Sequence, residues 1–220
     1  MKSLTNRLTD RRLPRCQTGF TLVEVIVSMV FSLALLASIY GVFSAQTHTV
    51  KGQESRMEGN EYAMSVLDTI VREIRNTGYF PTNTACINIA NSGGIVSADA
   101  QNFRLVYDAN ADGVCEEDVA FTYDSTNKNI LRNGAMITDG NATAVLFTYY
   151  PQKTSGSAPA PYCFSLGSPS GCSGMLAANL ASVQTVMVSI TIQTKSPDTR
   201  YGGQSLITMS SSAALRNHGL

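Results

Sequence analysis

Gly19-Phe20-Thr21-Leu22-Val23-Glu24 opens the stretch that decides the fold, and Val25–Ala45 (VIVSMVFSLALLASIYGVFSA) continues it for 21 residues without a charge. As a helix, that run would be about 31 Å long, enough to cross the hydrocarbon core of a bilayer. In front of it, residues 1–19 hold five basic side chains (Lys2, Arg7, Arg11, Arg12, Arg15) and a single acid, Asp10. The positive-inside rule therefore keeps 1–19 in the cytoplasm and sends the rest of the chain outside. A secretory signal peptide would have an apolar core of about 7–15 residues and a small-x-small cleavage site after it. This run is longer, and no such site follows. A lipoprotein signal needs small residues before its cysteine, whereas Cys16 follows Leu13-Pro14-Arg15. An uncleaved signal anchor accounts for the apolar run but for neither Gly19 nor Glu24.

Glu24 is the informative residue. A carboxylate in an apolar membrane helix is costly unless paired, and such residues are usually functional. If the chain begins at Phe20, the free α-amine there, on the same chain or a neighbour, is the obvious partner. The plainer reading is a glutamate snorkelling at the membrane surface. Gly19-Phe20-Thr21-Leu22-Val23-Glu24, after a short basic leader and before an apolar helix, resembles the cleavage and methylation motif of type IV prepilins and type II secretion pseudopilins. That resemblance implies cleavage between Gly19 and Phe20 by a membrane aspartyl peptidase and N-methylation of Phe20. It also implies that Glu24 guides packing into a filament.

The composition fits a chain that lies partly out of water. Charged residues make up 15% of the 220, below the roughly 25% usual for soluble domains. The formal net charge is zero, and residues 77–220 hold seven basic and nine acidic side chains without an Arg/Lys–aromatic cluster. Nucleic acid is therefore not an expected partner.

Beyond the apolar run, Ala63, Val66, Leu67, Ile70, Val71 and Ile74 form a stripe at helical spacing, with Asp68, Arg72 and Glu73 read as lying off it. Asp68 and Arg72, four apart, support the helix. Gly78, with Pro81 soon after, is a stop signal. The reading is one helix over about 21–76, with Gly41, Gly52 and Gly59 as weak points; the resemblance to pilins, many of which carry a helix-loosening proline near the depth of Gly41, implies local melting there. After Phe80 the pattern turns strand-like at 103–107, 119–123, 129–132, 144–150, 183–194 and 205–211. Val186, Val188, Ile190 and Ile192 alternate onto one face. The expected fold class is α+β: a long N-terminal helix whose second half packs on a C-terminal antiparallel sheet. The expected divisions are 1–19 leader, 20–45 membrane and filament-core helix, 46–78 amphipathic helix, and 79–220 exported head. Residues 151–174, with four prolines, four glycines and six serines, read as a surface loop inserted in that head.

A second resemblance covers most of the chain. Ile70-Val71-Arg72-Glu73-Ile74-Arg75-Asn76-Thr77-Gly78-Tyr79 looks like the helix end of PilW-type minor pilins and J-type pseudopilins. An acidic 108–118 turn, a strand pair ending Leu131-Arg132-Asn133, Leu180-Ala181-Ser182-Val183 and the terminal Leu215-Arg216-Asn217 follow in the same order. The resemblance implies a pilin-like fold and a minor pilin. Its partners would be other minor and major pilins, the prepilin peptidase, inner-membrane pilus assembly proteins and the lipid bilayer. Its location would be the inner membrane, then the pilus filament. The alternatives are a J-type pseudopilin of type II secretion and, less closely, a pilus-tip adhesin.

Two further clusters carry chemistry. Asp108, Asn110 and Asp112 at alternate positions, with Gly113, have the spacing that wraps Ca²⁺, and Val114, Glu116 and Asp118 could add oxygens. An EF-hand is excluded, because loop position 12 is Val119 and the flanks are strands. The same residues also read as an acidic, Asx-rich hairpin turn without metal. After cleavage at Gly19, Cys86, Cys115, Cys163 and Cys172 form an even set in an oxidising compartment, and 163–172 with 86–115 is the favoured pairing. His48 and His218 sit beside no nucleophile motif, and neither a P-loop nor GxGxxG is present. The chain reads as a non-enzyme with no required cofactor, Ca²⁺ being the one considered.

Overall fold

The computed structural model describes residues 19–80, 93–110, 112, 117–151, 158–164, 171–194 and 205–215. Its first element is the helix α1, Leu22–Asn76, 55 residues without a break. The expected melting at Gly41 does not occur. Each glycine lowers helix propensity by about 1 kcal/mol relative to alanine, which is too little to interrupt a cooperative ladder of this length. The chain divides at Thr47/His48 into two compact units.

In the first unit the apolar side chains of α1 from Leu22 to Phe43 are all exposed; Leu33, Leu36 and Phe43 keep more than 60% of their surface. α1 is the one helix among the described residues long and apolar enough to cross a membrane.

In the second unit the stripe read from the sequence is the buried face: Ala63, Val66, Leu67, Ile70, Val71 and Ile74. Arg72 and Asp68 form the expected exposed pair at 3.2 Å. The helix stops where glycine allows it. Thr77 and Tyr79 donate backbone bonds to the Ile74 and Asn76 carbonyls, and Gly78 takes a φ of +74°. A Cβ on Gly78 would lie 2.6 Å from the Gly93 carbonyl oxygen, so this approach needs glycine.

Among the described residues the head contains two antiparallel sheets where a single sheet was expected. One is a five-stranded meander of β1 (Ile95–Ala98), β2 (Asn102–Tyr107), β3 (Glu117–Asp124), β4 (Asn129–Arg132) and β5 (Ala135–Met136). β4 and β5 turn through Asn133-Gly134, both at positive φ, as a two-residue hairpin requires. The other sheet has the order β10-β9-β6, from β6 (Ala142–Pro151), β9 (Val183–Gln193) and β10 (Leu206–Ala214). Val186, Val188, Ile190 and Ile192 of β9 are all fully buried, as their alternation predicts. The sheets are joined by main chain: the Phe147 N–H donates to the Ala100 carbonyl at 2.9 Å, and Ala142 N–H to Lys128 at 3.0 Å. Phe103, Phe147 and Tyr149 stack between them at 5.5–5.7 Å, and the stripe of α1 shares this core.

A short parallel pair, β7 (Tyr162–Cys163) and β8 (Ser173–Met175), lies inside the segment read as a surface loop. That reading needs correction. Tyr162 and Phe164 are buried, and Phe164 meets Tyr149 edge-on at 5.6 Å. Two aromatics outweigh a Gly/Ser/Pro-rich setting, because burying each contributes about 1.5–3 kcal/mol.

Candidate functional site

The start of α1 builds the first candidate site. Gly19, Phe20 and Thr21 are non-helical and exposed, and a Cβ on Gly19 would meet nothing within 4 Å. Thr21 is the N-cap. Its Oγ accepts the Glu24 N–H at 3.3 Å, while the Thr21 N–H and hydroxyl both donate to Glu24 Oε2 at 3.0 Å. This is a capping box, in which cap and third helical residue satisfy each other's backbone donors. The spacing Thr21-x-x-Glu24 carries that signature in the sequence, and a reading of Glu24 as a filament acid alone passes over it. Both bonds fall on Oε2. Phe20 is 88% exposed. Chemically, the site offers an open peptide bond in non-helical chain, followed at once by an anchored carboxylate.

The acidic turn is arranged differently from the spacing read earlier. Asp108 is buried, its N–H donating to the Tyr79 carbonyl. Asn110 and Asp112 bond to each other, Asn110 Nδ2 donating to Asp112 at 2.9 Å. The Asp118 carboxylate is held by the Arg104 guanidinium through two bonds, one of them Nε to Oδ1 at 2.8 Å. That guanidinium pulls the Asp118 carboxyl below its usual range. Glu117 instead reaches the turn, accepting the Ala109 N–H at 3.1 Å. Val114 and Glu116 lie outside the described residues, and no group of three metal-ligating side chains occurs among the described residues.

Cys163 and Cys172 form a disulfide, with Cα atoms 5.2 Å apart, closing a loop that carries Phe164 and begins next to Tyr162. Cys86 and Cys115 lie outside the described residues, as do residues 1–18.

Glu73 lies off the buried stripe, as read, and is a half-buried hub. Its side chain is 15% exposed, pairs with Arg132 of β4 at 2.7 Å and accepts the Tyr107 hydroxyl of β2. Burial and the neighbouring carboxylate push the Tyr107 phenol up to about 12. Glu73 and Arg132 both fall in the stretches that carry the second resemblance, 59 residues apart. Nothing local in the sequence links them.

No family model matches the chain, and no curated protein or solved structure is significantly similar to it.

Proposed function

We propose that the chain is a minor pilin, a low-abundance subunit that enters or primes a type IV pilus after cleavage between Gly19 and Phe20 and N-methylation of Phe20. The observation that carries the reading is the sequence Gly19-Phe20-Thr21-Leu22-Val23-Glu24 at the non-helical mouth of a helix whose apolar side chains from Leu22 to Phe43 are all exposed. An extended, open peptide bond is what a peptidase needs, and more than twenty exposed residues of mostly apolar helix need lipid or other helices around them. The chain waits in the inner membrane with Phe20–Ala45 in lipid and its head outside. Prepilin peptidase frees the Phe20 amine. Glu24 keeps Oε2 on its own Thr21 cap and offers Oε1 to the amine of a neighbouring pilin. Inner-membrane assembly proteins then draw the helix into a bundle of minor and major pilin helices, where helix contacts replace lipid.

Glu24→Ala removes both the cap partner and the charge, while Thr21→Ala removes the cap alone. Glu24→Ala is expected to be cleaved normally and to lose piliation, with Thr21→Ala assembling close to wild type in an electron-microscopic pilus count. Normal piliation of Glu24→Ala, or equal loss in both variants, contradicts the pairing role. A J-type pseudopilin of type II secretion is the second reading, favoured by the same Ile70–Tyr79 stretch; it predicts a secretion defect with pili intact.

A further inference from the structure

We propose that the outer edge of β10 is a docking site for an extended, uncharged segment of another polypeptide, which adds to the sheet as a fourth, antiparallel strand. This stands on the head alone and is independent of the prepilin reading.

The geometry fixes which groups are open. Thr194 N–H donates to the Ser205 carbonyl and Leu215 N–H to Gln184, both at 2.9 Å. The odd-numbered residues of β10 therefore turn their main-chain groups toward β9. Leu206, Thr208, Ser210, Ser212 and Ala214 turn theirs away, and no described strand pairs on that side. A row of open N–H and C=O groups is a template for another strand.

Exposed edges in native proteins are normally blunted by charge, proline, a bulge or brevity. β10 has none of these. It is nine residues long, contains no proline or charged residue, and pairs with β9 without a register shift, unlike β1 with β2 or β6 with β9. The lack of charge is general to this sheet. Neither β6, β9 nor β10 contains Asp, Glu, Lys, Arg or His, whereas the five-stranded sheet carries Arg104, Glu117, Asp118, Asp124 and Arg132.

The same residues define the occupant. On the outer face, Thr208, Ser210 and Ser212 are exposed hydroxyls; on the inner face, Ile207 and Met209 are half-covered against the core. An added strand must alternate hydroxyl or small side chains outward with branched apolar ones inward, and a charge on the inner face would be stranded against the core. A second β10 suits this less well. Antiparallel self-pairing over all nine residues, about Ser210, sets Met209 against Ser211 and Ile207 against Ala213; the register about Thr208 that sets Ile207 against Met209 pairs only 206–210 of each strand.

The test is amide hydrogen exchange of the full chain in detergent micelles, with two probes: acetyl-TVTVTVTGKK-amide and its charged counterpart acetyl-TETETETGKK-amide. Thr208, Ser210 and Ser212 amides should exchange fast in the free chain and slow by about tenfold or more with the Thr/Val probe, not with the Thr/Glu probe. Ser210→Pro, whose lost N–H points away from β9 and leaves the β9 ladder intact, should abolish the slowing. Protection of those amides in the free chain equal to that of Ile207 and Met209 overturns the proposal, as does an unchanged exchange rate with saturating Thr/Val probe. Protection that grows with chain concentration alone makes the occupant a second copy and overturns the assignment to a different polypeptide.

Discussion

Glu73 shows how one side chain ties the second half of α1 to the meander. Its carboxylate holds Arg132 at 2.7 Å and the Tyr107 hydroxyl, so removing it strands a half-buried guanidinium and a buried phenol together. Breaking such a pair from one side costs far more than an exposed ion pair contributes. Glu73→Ala is therefore expected to lose about 2 kcal/mol in denaturant unfolding of the full chain in detergent, with Arg132→Ala adding little on top. A loss under about 0.5 kcal/mol would show the cluster to be incidental. The Arg104–Asp118 pair is half-exposed and carries correspondingly less.

Tyr107 turns the same cluster into a pH dependence. Its phenol ionises near 10 in the unfolded chain and at about 12 in the fold. Between those values the unfolded chain has released the proton and the folded chain has not, so stability falls as pH rises. Below pH 10 the contribution is fully present. Tyr149 is also pushed upward by burial, and shares in the fall. Tyr107→Phe should make the decline between pH 10 and 12 shallower, leaving the parts of Tyr149 and of Tyr123, which burial also raises; an unchanged slope would place the ionisation elsewhere.

At the scale of elements, Gly41 and Gly59 of α1 are of two kinds. Gly41 has open space around it, whereas Gly59 faces the second sheet. A Cβ on Gly59 would lie 2.6 Å from Ile207 Cδ1 and 3.0 Å from Thr194 Cγ2. Ile207 Cδ1 is the movable end of a side chain, so Gly59→Ala should be near neutral, its small clash offset by about 1 kcal/mol of helix propensity. Gly59→Leu has no such escape against buried Thr194 and should cost about 1–3 kcal/mol by overpacking, read in the same unfolding experiment. Equal stability of the two variants would mean that β10 does not rest on α1 at this point. The periodicities of these elements were plain in the sequence. The 63–74 stripe and the Val186–Ile192 alternation are the buried faces, because each repeats often enough for its period to be unambiguous. β1 and β5 are too short to show a period, and Tyr162 and Phe164 are single anchors inside a turn-like composition. Glu73 lies off the stripe as read, but its partners were not legible, because they come from strands 34 and 59 residues away.

For the molecule as a whole, the division between an exposed apolar helix and a packed α+β head follows from composition alone. Charge is absent from the apolar run Val25–Ala45 and returns from Lys51 onward, in the second half of α1 and well before the meander. The capping box at Thr21 and Glu24 was also legible in the four-residue spacing, hidden behind a more specific motif at the same residues. What the sequence could not show is that the head splits into a charged meander and an uncharged three-stranded sheet, since sheet membership depends on pairing between distant strands. The central claim remains the processing at Gly19. Its most direct test is the intact mass of the chain from sheared pili and from inner membranes, before and after reduction. The account predicts a species beginning at Phe20, one methyl group heavier than the bare sequence, that gains four hydrogens on reduction and is enriched in sheared pili. A chain still beginning at Met1, unmethylated and confined to membranes, would contradict it.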